Sequence, residues 1–67
     1  MTKTVQIRMI SNPTSVVNKQ QVSSDAGRLQ CDTLARSMVE RANVDTRDVY
    51  VTVVQTNTGI CLYKFTL

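Results

Sequence analysis

The chain has 67 residues, a net charge of +3 and 42% hydrophobic residues, enough for one small domain with an ordinary core. It has no His and only two Cys, Cys31 and Cys61, which excludes an ordinary zinc site and leaves too few thiols for a disulfide scaffold. The basic residues are dispersed along the chain, no two are adjacent, and no linear basic tract marks a nucleic-acid binder.

Taken in order, the residues first alternate. Val5, Ile7 and Met9 fall on one side and Gln6 and Arg8 on the other, which predicts a half-buried strand over 4–10. This alternation leaves no apolar core for a signal peptide, and no run reaches membrane-spanning length. "SNPTS" is a turn, in which Pro13 fixes its own φ and pushes Asn12 out of the helical region. "VVNKQQVSS" reads as a weaker, polar strand with Lys19 in its middle, as suits a sheet edge. Its phase is ambiguous, with Val16 and Val22 expected on one face and Val17 on the other.

"SSDAGRLQCDTLARSMVERAN" predicts a helix, with Ser23 or Ser24 as N-cap, Asp25 at the positive end of the dipole and Asn43 as a left-handed C-cap. Cys31, Leu34, Ala35, Met38, Val39 and Ala42 share one arc of about 140° and form the core face. Asp32 and Arg36 lie opposite at the i, i+4 spacing of a favourable ion pair. Leu29 falls among the charges. Gly27 falls on the core side, where a missing side chain would let the helix approach the sheet.

The last residues, "VYVTVVQTNTGICLYKFTL", read as a hairpin. Gly59 suggests a three-residue connection ending in a left-handed glycine. That turn pairs Thr56 with Ile60, Val53 with Tyr63 and Val51 with Phe65. It gathers Val49, Val51, Val53, Cys61, Tyr63, Phe65 and Leu67 on one face, and a one-residue slip would invert the set. Both cysteines are therefore expected in the core.

The resulting layout, ββαββ in an α+β domain spanning 1–67, resembles the β-grasp arrangement of small protein G-like immunoglobulin-binding modules. That resemblance implies one helix on a four-stranded mixed sheet of order 2-1-4-3, with strands one and four parallel in the middle. Strand three, "DVYVTVVQT", would then be an exposed edge free of Lys and Pro and open to strand addition.

No His-based general base, nucleophile elbow, P-loop or paired carboxylates mark a catalytic site, and no cofactor is implied, so the chain reads as non-enzymatic. Asp45 and Asp48 beside Arg47 read as a solvated turn. A single helix can cover one sheet face only. The other face is expected to carry an apolar patch of Val54, Ile60 and Leu62 and a mixed patch of Arg8, Ile10, Tyr50 and Lys64, and these seven residues are the candidate partner-binding set. In type and size the chain resembles phage-encoded or mobile-element inhibitors such as anti-CRISPR proteins. That resemblance implies a cytoplasmic protein, in the host cytoplasm if phage-encoded, whose partner is another protein such as a host nucleoprotein complex. A small basic nucleic-acid-associated regulator and a self-associating homodimer are the alternatives. Tyr50 is the one aromatic residue expected on that face, where base-stacking platforms use two or three.

Overall fold

The opening alternation forms β1 (Thr2–Met9), and the polar run beyond the turn forms β2 (Val16–Ser23), antiparallel to it. The structure, a computed structural model, describes residues 2–67. The chain continues through α1 (Arg28–Ala42), a single 3-10 turn at Thr46–Asp48, β3 (Val49–Gln55) and β4 (Cys61–Phe65).

The sheet is antiparallel throughout, in the order β2-β1-β3-β4. This corrects the expected 2-1-4-3 order with its parallel pair. The cause is the short return from the helix. Asn43 ends α1 in the left-handed region at φ 57°, with its N–H donating to the Glu40 carbonyl and the Val44 N–H to the Val39 carbonyl, a Schellman motif. The 3-10 turn then lays the chain beside the end of β1, where the Ile10 N–H donates to the Asp48 carbonyl at 3.0 Å. Val49 therefore starts β3 opposite Met9, running antiparallel to β1. Strand three is central, and β4 is the edge.

The core lies between α1 and the sheet. Val5, Ile7, Val49, Val51 and Val53 meet Cys31, Ala35, Met38 and Val39, with Ala26 sealing the approach to the helix. Each fully buried Val or Met contributes about 1.5–3 kcal/mol over an exposed one. Leu34 and Ala42 complete the expected arc as half-buried residues, and Leu29 stands 79% exposed. Asp32 and Arg36 form their ion pair at 3.2 Å.

The helix entrance differs from the expectation. Its N-cap is Gly27, in extended conformation and without a side-chain cap. Ser23 instead closes a turn ahead of the helix, accepting from the Asp25 N–H on its hydroxyl and from the Ala26 N–H on its carbonyl. Gly27 is exposed, with open space where a Cβ would stand, so it mediates no close approach.

Both hairpins contain a bulge that no local pattern announced. In β3–β4 the loop is Thr56–Gly59, one residue longer than expected: the Gln55 N–H donates to the Ile60 carbonyl, and the Gly59 N–H to the Gln55 carbonyl. Gly59 does take positive φ, 72°. The longer loop pairs Val54 with Cys61, and a bulge at Leu62 then restores the expected Val53–Tyr63 and Val51–Phe65 pairs. Cys61 consequently leaves the core and is exposed, whereas Cys31 is fully buried. In β1–β2, Ile7 pairs with Asn18 and Arg8 with Val16, leaving Val17 as the extra residue. Val17 and Val22 pack on the core while Val16 is 37% exposed, the reverse of the expected pairing of Val16 with Val22.

Candidate binding face of the sheet

Helix α1 packs across β1 and β2 on one side of the sheet. The opposite face is built in rows, because residues paired across antiparallel strands share a face. Its central row crosses all four strands: Lys19, Gln6, Thr52 and Lys64. At about 4.8 Å per strand its end backbones lie about 14 Å apart. The neighbouring row is Gln21, Thr4, Val54 and Cys61, and on the other side Arg8 stands between Val16 and Tyr50.

Hydrogen bonds hold the middle of this face rigid. The Arg8 guanidinium donates from Nη2 to Gln6 Oε1 at 2.9 Å, from Nε to Thr52 Oγ1 at 3.4 Å and from Nη1 to the Pro13 carbonyl at 2.8 Å. Thr52 Oγ1 in turn donates to Gln6 Oε1 at 3.2 Å, and the Thr4 and Thr56 hydroxyls bond at 2.8 Å. Thr4 and Thr52 are buried, and this network satisfies their hydroxyls. Every acceptor that Arg8 uses is neutral, so its charge is positioned without being compensated.

The seven sequence-derived candidates occupy two ends and the middle. Ile10, Tyr50 and Lys64 do come together, lining a cleft of ≈ 580 Å³ with Pro13, Phe65 and Thr66. Arg8 sits in the central network. Val54 is half-buried beside Cys61, with Leu62 at the bulge 44% exposed. Ile60, expected with them, pairs with Gln55 in the longer loop and so turns to the helix side at the hairpin end. Ile10 is 51% exposed. Lys19 was missing from the candidate set, because the bulge at Val17 concealed the register that brings it opposite Gln6.

Charge is strongly segregated. The strands carry Lys3, Arg8, Lys19 and Lys64 and no acid, while Asp25, Asp32, Glu40, Asp45 and Asp48 lie in the helix and its flanking turns. Among the described residues the ion pairs are Asp32–Arg36 and Asp45–Arg47, both away from the open face. Asp45 and Arg47 form the solvated turn, in which the Arg47 hydrogen bonds hold the Asp45 carboxyl below its usual range. Lys3 points to the helix side, donating to the Ala26 carbonyl.

On the covered face, Arg28 lies over the rings of Phe65 and Tyr63, 5.4 and 6.0 Å from their centroids. The Tyr63 hydroxyl is buried without a hydrogen-bond partner. Burial, chiefly, pushes its pKa up to about 12; the nearby Cys31 thiol adds to the shift and the Arg28 charge opposes it. Among the described residues no group of three or more metal-ligating side chains stands together, and no helix is long and apolar enough to cross a membrane. No family model matches the chain, and neither does any curated protein or solved structure.

Proposed function

We propose that the chain is a small, non-enzymatic protein-binding module that works by occupying a partner's surface, as inhibitors encoded by phages and mobile elements do. The observation that carries this reading is the uncovered sheet face, with Leu62 exposed at one end beside half-buried Val54 and Ile10 exposed at the other. Exposed apolar side chains rimmed by polar ones mark surfaces that other proteins cover.

The face is a better docking surface than the edges. Strand β2 carries Lys19 and a bulge at Val17, and β4 carries Lys64 and a bulge at Leu62. Lysines and bulges are the devices that discourage strand addition. The open strand-three edge expected from the sequence does not exist, since β3 is covered by β1 and β4.

The test is Leu62→Asp or Ile10→Asp against Leu29→Asp on the helix. The sheet variants are expected to abolish capture of the partner from lysate while circular dichroism shows a folded monomer, and Leu29→Asp to leave capture intact. Normal capture by the sheet variants, with loss in Leu29→Asp, would make the helix the working surface.

A further inference from the structure

We infer that the open face docks on an acidic protein surface, with Arg8, Lys19 and Lys64 as its charged contacts and Leu62 with the adjoining Val54 as its apolar anchor. This rests on the protein-binding reading and adds the chemistry of the partner. The helix and turns carry four arginines against five acids, so the strand cations account for more than the whole net charge of +3. Three of the four strand cations lie on the uncovered face, in two adjacent rows, with no carboxylate partner among the described residues. Like charges gathered on one face repel one another, and a complementary anionic surface relieves that repulsion.

Two other occupants fit less well. A second copy docked face to face across a two-fold axis would bring this cationic face against itself, so like charge would meet like. A nucleic acid would use the cations, but Tyr50 alone offers a ring on this face. Exposed Leu62, 44% accessible, gives bases nothing to stack on. Aliphatic side chains beside cations instead match a protein surface that mixes carboxylates with apolar groups.

The test uses isotope-labelled protein and three probes at one salt concentration: a short peptide of Glu with interspersed Leu, the same peptide with Gln for Glu, and oligothymidylate. The acidic peptide is expected to shift the amides of Gln6, Thr52 and Lys64 and to bind more tightly than either other probe. Reversing both lysines, Lys19→Glu with Lys64→Glu, should weaken it at least about tenfold. The Lys→Gln pair, which disturbs the fold less, should weaken it by a smaller factor. Equal binding of the Gln peptide, or undiminished binding after charge reversal, overturns the acidic partner and leaves the protein-binding reading standing. Tighter binding of oligothymidylate overturns both in favour of nucleic acid. Absence of any shift on this face with all three probes overturns the acidic docking surface, and the Leu62→Asp capture experiment then decides the protein-binding reading separately.

Discussion

Cys61 lies directly across from Val54 on the β3–β4 ladder, which places its thiol on the open face of the sheet, while Cys31 is sealed beneath the helix. A thiol-reactive probe should therefore modify one cysteine rapidly in the native protein and the second only after denaturation. Mass spectrometry of the digested product should locate the fast site at Cys61. Rapid native labelling of Cys31 would place the helix wrongly on the sheet.

Gly59 tests the hairpin. Its φ of 72° is strained for a β-branched residue, although a Cβ there would meet nothing within 4 Å. Gly59→Val should cost at least about 1 kcal/mol by backbone strain alone. In a domain of this size that lowers the melting temperature by about 4–8 °C. Gly59→Asn, which tolerates the left-handed region, should cost clearly less. Equal stability of all three would mean that the loop does not need positive φ.

Tyr63 should make stability depend on alkaline pH. Its phenol has a folded pKa of about 12, above the ordinary 10.0. The folded state thus resists deprotonation, and the stability this phenol contributes is fully present below pH 10 and lost as pH rises through about 12. Tyr63→Phe removes this loss. At neutral pH it should be neutral or slightly stabilising, by up to about 1 kcal/mol, because it deletes a buried hydroxyl without a partner. Denaturant melts of both proteins across the alkaline range would check the sign. A marked destabilisation at neutral pH would show that the hydroxyl is hydrogen-bonded after all.

Arg28 should matter through the rings it covers. Because it stands over both Tyr63 and Phe65, Arg28→Gln should cost about 0.5–1 kcal/mol, with added exposure of the rings visible as increased tyrosine fluorescence quenching by a neutral quencher. An unchanged melting temperature and unchanged quenching would show that the guanidinium contributes no cover.

Local patterns alone determined the elements themselves. Period-two alternation marks β1 and β3, the arc from Cys31 to Ala42 marks the helix, and Asn43 and Gly59 mark the two left-handed residues. Even the inner pairs Val53–Tyr63 and Val51–Phe65 were legible, because one buried face tolerates a single register. Strand order was not. β3 and β4 pair with each other in either arrangement, and the return through Asp48 to Ile10 decides which one lies beside β1. The segment Val49–Val54, four valines and a threonine around Tyr50, with Thr52 buried on the outer side, is what a central strand needs. Its β-branched density was the available signal, but the apolar content of β4 outweighed it. The two bulges were equally invisible, since an extra residue in a ladder is fixed by the partner strand and by loop length. They turned Cys61 outward and brought Lys19 level with Gln6, which adds it to Arg8 and Lys64 on one face. Periodicity belongs to a segment and can be read from it, whereas register and neighbour belong to pairs of segments, and only packing the whole chain selects them.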